Sequence, residues 1–301
     1  MTRILLFLLL STTLSFSAFA QELYKGQVYD EITKSTFTYS DTLKLDFYTA
    51  KQAAENNDRS LIILVHGGGF EGGTRDNPQE VQFSTTMAAK GYAVASMSYT
   101  LTRKGTATGF GCSCPASEKI ATFKETTSDI LKAIDYLKIA GDFAFAHDKI
   151  VLLGSSAGAE GVLNTAYLAN YPDFKDLAFQ NLKIAAVVSF SGAMLDARYI
   201  SANNAVPAFL IHGIKDNLVP YASAAHHYCS PSESGYLQLD GSSVIAEQLK
   251  KLNSSYVLLT DPEGTHDWAG IGYKYADEIA QFLSDVVINN EKVQTEREVT
   301  P

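Results

Sequence analysis

The sequence is short of positive charge and of long apolar segments. It contains 24 lysine and arginine residues against 33 aspartate and glutamate residues, which gives a formal net charge of −9. Because a nucleic-acid-binding protein needs a basic surface to meet the phosphates, we expect no nucleic acid partner. After residue 20 no apolar run reaches the length of about 18 residues that spans a bilayer, so we also expect no membrane anchor.

Motifs for common cofactors and metals are missing as well. The sequence has no G-x-x-x-x-G-K-[S/T] phosphate loop, no G-x-G-x-x-G dinucleotide fingerprint and no H-E-x-x-H metal motif. His226 and His227 are adjacent, whereas two histidine ligands on one helix face are four residues apart. We therefore expect neither a cofactor nor a metal.

The N-terminal 20 residues have the pattern of a secretory signal peptide. Arg3 provides a basic start, residues 4–10 are apolar, and residues 18–20 read A-F-A, which matches the A-x-A cleavage site. We predict a cleaved signal peptide over 1–20 and a soluble mature chain, exported to the periplasm or beyond, that begins near Gln21.

The rest of the chain alternates between apolar runs and helical patterns. With 46% hydrophobic and 19% charged residues, it has the composition of a globular protein. Alternating strands and helices predict an α/β fold with a mostly parallel central sheet and helices on both faces. We expect one catalytic domain over 21–288, with two helical pieces between 221 and 252. Residues 289–301 are charged without periodicity, which predicts a flexible polar tail.

Residues 149–163, KIVLLGSSAGAEGVL, combine a buried strand, a G-x-S-x-G turn and the start of a helix. This is the context of a nucleophile elbow, a sharp turn that exposes its central serine at the end of the sheet. Ser156 is therefore the candidate nucleophile.

A serine nucleophile needs a base and an orienting carboxylate, which in this arrangement follow in the order acid, then histidine. Asp216 lies four residues beyond a predicted strand, and His266 lies in the loop just past the last predicted strand. Asp196, after the preceding strand, is the alternative acid. Asp240, Asp261 and Asp267 are better explained as turn or capping residues. His226 and His227 fit pocket-wall or surface positions. His147 and His212 lie at the ends of predicted elements and have no pattern that suggests a partner.

The segment His66-Gly67-Gly68-Gly69 follows another predicted strand. Glycines let a backbone approach a ligand closely and direct its N–H groups toward a developing oxyanion. We expect the amides of Gly68, Gly69 and Ala157 to form an oxyanion hole, and His66 to hold the loop by hydrogen bonds.

Taken together, HGGGF, GSSAG, HG-x-x-D-x-x-VP and G-x-H-D-W resemble the motifs of the α/β-hydrolase esterase and lipase superfamily, over residues 43–287. Within it, the chain resembles secreted bacterial carboxylesterases with an HGGG loop, some of which deacylate plant polysaccharides. The resemblance implies an α/β-hydrolase fold and a serine carboxylesterase that acts on a small-molecule or carbohydrate ester through an acyl-enzyme. It also implies a triad of Ser156, Asp216 and His266.

Two other functions fit the same motifs. A serine peptidase of the prolyl-oligopeptidase type shares the catalytic domain, but its N-terminal propeller needs hundreds of residues and only about 40 precede the central strands here. A catalytically silent binding module of the same fold is the other alternative, and the presence of all three triad residue types argues against it. The sequence leaves the oligomeric state open.

The three cysteines are Cys112, Cys114 and Cys229. An exported chain meets an oxidising compartment, where disulfides form. A bridge from Cys112 to Cys114 would strain the backbone. The loop over 100–115, which contains Cys112 and Cys114, and the segment that contains Cys229 each follow a strand and emerge at the carboxyl edge of the sheet. We therefore predict that Cys229 pairs with Cys112 or Cys114.

Overall fold

The computed structural model describes residues 23–53, 55–141, 143–179 and 182–301. The predicted signal peptide, residues 1–20, lies outside these ranges. No helix within them has both the length and the apolar composition required to cross a lipid bilayer.

A nine-stranded sheet forms the centre of the molecule, in the order β1-β2-β4-β3-β5-β6-β8-β11-β12. The hairpin β1–β2 is antiparallel and joins β4 in antiparallel fashion, whereas all pairs from β4 to β12 are parallel. The strands are β1 Ile32–Ser40, β2 Leu43–Ala50, β3 Leu61–Val65, β4 Ala93–Met97, β5 Ile150–Ser155, β6 Ile184–Phe190, β8 Ala208–Gly213, β11 Tyr256–Asp261 and β12 Gln294–Glu298.

Helices cover both faces of this sheet and give two separate cores. The helices are α1 Pro78–Ala89, α2 Ala116–Ile139, α3 Ala157–Tyr167, α4 Ser242–Lys251, α5 Trp268–Ile271 and α6 Ala276–Leu283. Apolar side chains of α2, α3 and α4 form one core, and those of α1, α5 and α6 form the other. In β3, successive side chains enter opposite cores and all five are buried. This explains the unbroken apolar run and confirms the predicted α/β fold.

The segments that follow β6 and β8 form a second, three-stranded sheet. It consists of β7 Ala193–Met194, β9 Ser223–Ala225 and β10 Gln238–Gly241, in the antiparallel order β7-β10-β9. The prediction of two helical pieces between 221 and 252 is therefore wrong for the first piece. Residues 223–225 pair with β10, and positive φ angles of 55° at His227 and 53° at Tyr228 prevent a helix from continuing.

The prediction of a flexible polar tail over 289–301 is also wrong, because residues 294–298 form β12. This strand pairs in parallel with β11, from Tyr256 opposite Gln294 to Thr260 opposite Glu298. The hydroxyl of Tyr256 donates to Glu296, and Val299, just past the strand, is buried. All five side chains of β12 are exposed, so the strand has no apolar alternation for the sequence to show.

Candidate active site

Ser156 occupies the turn between the last residue of β5 and the first residue of α3. Its φ and ψ angles are 51° and −122°, in a sparsely populated region for any residue except glycine. Two hydrogen bonds hold this backbone: the Ser156 N–H donates to the carbonyl of Phe190 in β6, and the N–H of Glu160 donates to the Ser156 carbonyl. The turn therefore has the strained geometry of a nucleophile elbow.

Gly158 shows why the turn needs small residues. A Cβ atom at this position would lie 2.1 Å from the carbonyl oxygen of Val65, at the end of β3. Helix α3 thus begins in direct backbone contact with the neighbouring strand, and any side chain at position 158 would push it away from the sheet.

The structure brings Ser156, His266 and Asp216 together in one hydrogen-bonded chain. The hydroxyl oxygen of Ser156 is 2.8 Å from Nε2 of His266, and Nδ1 of His266 is 2.7 Å from Oδ2 of Asp216. Asp216 follows β8 and His266 follows β11, so the carboxyl ends of three parallel strands supply the three side chains. This is the arrangement in which a histidine can take the proton of a serine hydroxyl.

Asp216 is buried and held by four hydrogen bonds. Its Oδ1 accepts from the N–H groups of Leu218 and Val219, and its Oδ2 lies within hydrogen-bonding distance of His266 and His212. Burial acts to raise the pKa of Asp216, but the hydrogen bonds from His212 and His266 and the favourable electrostatic interaction with both imidazoles outweigh it and hold this pKa well below its usual range. Asp216 is therefore an ionised acceptor for both imidazoles.

His212 belongs to this network, although the sequence analysis predicted no partner for it. Its Nε2 lies 3.2 Å from Oδ2 of Asp216 and 3.2 Å from the carbonyl oxygen of Val219. Since both neighbours are acceptors, Nε2 carries the proton, and the Ser242 hydroxyl, 2.9 Å from Nδ1, donates to the other nitrogen. The signal was its position in H-G-x-x-D, four residues before Asp216.

The glycine loop lies against the elbow. Gly68 and Gly69 have φ angles of 121° and 63°, and both line the same cavity as Ser156 and Ala157. Among the described residues, no hydrogen bond uses the N–H of Gly68, Gly69 or Ala157. These amides are available to a ligand. Nδ1 of His66 is 2.7 Å from the carbonyl oxygen of Gly67, which fits the expected loop-holding role of this histidine.

The rejected acidic candidates have other partners. Asp196 accepts from the backbone of Arg198 and forms an ion pair with its side chain. Asp240 accepts from the N–H of Ala197, and Asp261 accepts from the indole of Trp268. None of these carboxylates lines the cavity that contains Ser156.

The cavity at the elbow has a volume of about 480 Å³ and a mixed polar and aromatic lining. Its walls come from the glycine loop, the starts of α1 and α3, and the segments after β8 and β11, and include Glu80, Phe110, Glu160, His226, His227 and Tyr273. A larger groove of about 840 Å³, lined by residues of 261–278 and 297–301, contains none of the three residues Ser156, Asp216 and His266.

A disulfide joins Cys112 to Cys229, with their Cα atoms 5.3 Å apart, and Cys114 is a buried free thiol. The bridge ties the loop that carries Phe110 to the segment that carries His226 and His227. Two walls of the cavity are thereby linked covalently.

Comparisons with solved structures agree with this fold. Esterase 2 of Thermogutta terrifontis, phosphorylated by paraoxon, is 19% identical, with a TM-score of 0.59 over 84% of this chain and 94% of that one. Its butyrate-bound form is 18% identical, with a TM-score of 0.56 over 83% and 93% of the two chains. Esterase B of Lactobacillus Rhamnosis HN001 is 15% identical, with a TM-score of 0.57 over 96% of each chain.

Sequence comparison identifies the family. No curated protein is significantly similar to this chain. The sequence model of the BD-FAE family matches residues 45–196, just over half of the chain, including the glycine loop and the elbow. The chain therefore belongs to the BD-FAE family, an esterase family of the α/β-hydrolase type.

Proposed function

We propose that this protein is a serine carboxylesterase in which Ser156 is the nucleophile, His266 the general base and acid, and Asp216 the orienting carboxylate. The observation that carries the proposal is the continuous chain from the Ser156 hydroxyl through both nitrogens of His266 to Asp216. A hydroxyl is a weak nucleophile until a positioned base accepts its proton, and this chain provides that base in the required orientation.

The reaction follows from this geometry in two steps. Ser156 Oγ attacks the ester carbonyl carbon while Nε2 of His266 takes its proton, and the N–H groups of Gly68, Gly69 and Ala157 stabilise the oxyanion. His266 then protonates the leaving alcohol, which leaves an acyl-enzyme. A water molecule, deprotonated by His266, then attacks the acyl carbon. The bond to Ser156 Oγ breaks as His266 returns the proton to Oγ, and the carboxylic acid departs.

The substrate we propose is an ester with a short acyl group on a small alcohol or a carbohydrate. A cavity of about 480 Å³ accommodates a short acyl chain and one polar ring. Butyrate and propionate are bound in the structurally similar Thermogutta terrifontis esterase 2. The mixture of histidines, carboxyl groups and aromatic rings in the lining suits a polar alcohol better than a long lipid chain.

We also propose that the protein is exported after cleavage of residues 1–20. The Cys112–Cys229 bridge supports this, since disulfides persist mainly in oxidising compartments. N-terminal sequencing of the protein from a bacterial secretion host, with its cell fraction recorded, tests the proposal. A mature N-terminus near Gln21 is expected, and an uncleaved cytoplasmic chain would contradict it.

The function is tested with Ser156→Ala and a panel of nitrophenyl esters of increasing acyl length, acetylated and feruloylated xylan fragments, and peptide nitroanilides. We expect wild-type turnover of the short esters, and a loss of at least about 10⁴-fold in kcat in the variant. The neighbouring Ser155→Ala is the matched control, because the Ser155 hydroxyl donates to the Ala269 carbonyl and makes no bond to His266. Faster cleavage of nitroanilides than of esters would favour the peptidase alternative, and wild-type turnover by Ser156→Ala would reject the nucleophile.

A further inference from the structure

Glu160 and His226 lie side by side in the wall of the Ser156 cavity, and the proposed reaction uses neither of them. Both side chains are almost fully buried, with 1% of each residue exposed. Oε1 of Glu160 is 3.3 Å from Nε2 of His226. The Glu160 N–H donates to the Ser156 carbonyl, so this residue is anchored one helical turn from the nucleophile.

The contact between Oε1 of Glu160 and Nε2 of His226 does not have hydrogen-bond geometry, and among the described residues Oε1 of Glu160 and Nδ1 of His226 have no hydrogen-bond partner. Buried polar atoms in folded proteins are nearly always paired, with protein groups, with water or with a ligand. The ammonium group of Lys119 donates to the carbonyl of Gly235 and to Sγ of Cys229, and it forms no ion pair with Glu160. Both residues line the cavity that contains Ser156.

The surroundings of the pair disfavour the charged form of both groups. Burial raises the pKa of Glu160 well above its usual range and lowers the pKa of His226 well below its usual range. The rings of Phe110 and Phe123 pack edge-on against His226, with centroid distances of 5.1 and 6.4 Å. A carboxylic acid and a neutral imidazole each offer one donor and at least one acceptor.

We propose that Glu160 and His226 form a subsite for an alcohol hydroxyl group of the substrate, close to the scissile ester. This inference rests on the proposed esterase function and adds that the ester substrate has a free hydroxyl group. A hydroxyl both donates and accepts, so it complements a neutral acid–imidazole pair. A methyl group in its place leaves the buried polar atoms without a hydrogen bond. Sites of this kind therefore favour a substrate with the hydroxyl over an analogue without it. The hydroxyl belongs either to the acyl half or to the alcohol half of the ester.

Two pairs of esters, each exchanging a hydroxyl for a methyl group of similar size, test the proposal and distinguish the two halves. Ethyl 3-hydroxybutyrate against ethyl 3-methylbutyrate tests the acyl half. The alcohol half is tested by 2-hydroxyethyl butyrate against propyl butyrate. In one pair we expect the wild-type kcat/KM to favour the hydroxyl ester by about tenfold or more, since one hydrogen bond to buried polar atoms is gained.

Substitutions in the pair should remove this preference. Glu160→Leu and His226→Phe are expected to bring the kcat/KM ratio within about twofold of one, while Glu160→Gln, whose amide also donates and accepts, retains most of it. Glu80→Gln is the matched control in the same cavity, since Oε1 of Glu80 already accepts from the Tyr273 hydroxyl, and its ratio should match the wild type. Circular dichroism checks folding, and if Glu160→Leu does not fold, His226→Phe decides.

The outcomes separate this inference from the function on which it rests. Hydrolysis of all four esters with ratios near one in both pairs overturns the hydroxyl subsite and leaves the esterase intact. So does a wild-type preference that survives in folded Glu160→Leu and His226→Phe. If the wild type hydrolyses none of the four esters or the nitrophenyl esters, the proposed function itself fails, and the subsite with it.

Discussion

In the proposed triad, Asp216 orients His266 through the contact with its Nδ1. Asp216→Asn replaces an ionised acceptor with an amide that no longer fixes the imidazole tautomer, so we expect kcat to fall by about 10⁴-fold. Asp196→Asn should change kcat by less than about threefold, because Asp196 is bonded to Arg198 outside the cavity. Steady-state kinetics on a short nitrophenyl ester compares the two. A larger loss in Asp196→Asn would transfer the acid role to that loop.

His212 positions Asp216 and does not touch the reacting atoms. Its removal in His212→Ala deletes one hydrogen bond to a buried carboxylate, so kcat should fall by about 10- to 100-fold while KM changes little. Ser242→Ala, which removes only the hydroxyl that holds the far nitrogen of His212, should have a smaller effect. A rise in KM at constant kcat would show instead that His212 shapes the substrate cavity.

His227 makes folding stability depend on pH. Burial, followed by the charges of Lys119 and His266, lowers the pKa of His227 to about 4, against about 6.5 in an unfolded chain. Between these values the unfolded chain binds a proton that the folded chain does not, so this residue lowers stability as pH falls from 6.5 toward 4. Urea titrations at pH 7 and pH 5 measure this effect. Between the two pH values, the free energy of unfolding of His227→Gln should fall by about 1 kcal/mol less than that of the wild type. Parallel losses in both proteins would contradict this.

At the scale of secondary structure elements, β12 contributes to stability through the residue that follows it. Val299 is buried against the second core, and its N–H donates to the Thr260 carbonyl. Val299→Ala should lower the free energy of unfolding by about 1–2 kcal/mol, as expected for losing buried methyl groups. Thr295→Ala, at an exposed position of the same strand, should stay within about 0.5 kcal/mol. Equal effects would mean that Val299 is solvated in solution.

The difference between β3 and β12 shows what the sequence could reveal. Strand β3 is buried on both faces, so its five apolar residues predicted it directly. Strand β12 is held by backbone pairing to β11 and by polar contacts such as that of Glu296 with Tyr256, and its exposed side chains give no periodic signal. The helix predicted over residues 223–225 failed for a similar reason. These residues pair with β10, and this pairing outweighs their local preference for a helix.

The residues of the candidate site also differ in how far the sequence could predict them. Ser156, Asp216 and His266 stand in motifs with fixed spacing, so the sequence proposed them and the structure places them in contact. Glu160 and His226 are 66 positions apart in the numbering and approach each other only when α3 packs beside the segment after β9. A contact between residues so far apart leaves no motif in the sequence. The sequence analysis therefore predicted only a pocket-wall or surface position for His226.

At the scale of the whole molecule, the Cys112–Cys229 bridge closes a loop across a sequence separation of 117. In the chain-entropy description, a loop of this length contributes about 4–5 kcal/mol by restricting the unfolded chain. Cys229→Ala should therefore lower the free energy of unfolding by several kcal/mol, and reductant should destabilise the wild type but not the variant. Cys114→Ala, which leaves the bridge intact, is the control. Peptide mapping that finds Cys229 as a free thiol would refute the pairing.

The charged strand β12 also decides what the sheet presents to other copies of the chain. Strand β11 next to it, YVLLTD, is fully buried, and left as an edge it would be a flat apolar template for β-pairing. β12 covers that template with QTERE, whose alternating acidic and basic side chains oppose the addition of a further strand. The segment that reads as an unstructured tail thus covers the apolar strand β11, and it places a charged strand, which pairs less readily with another chain, at one edge of the nine-stranded sheet.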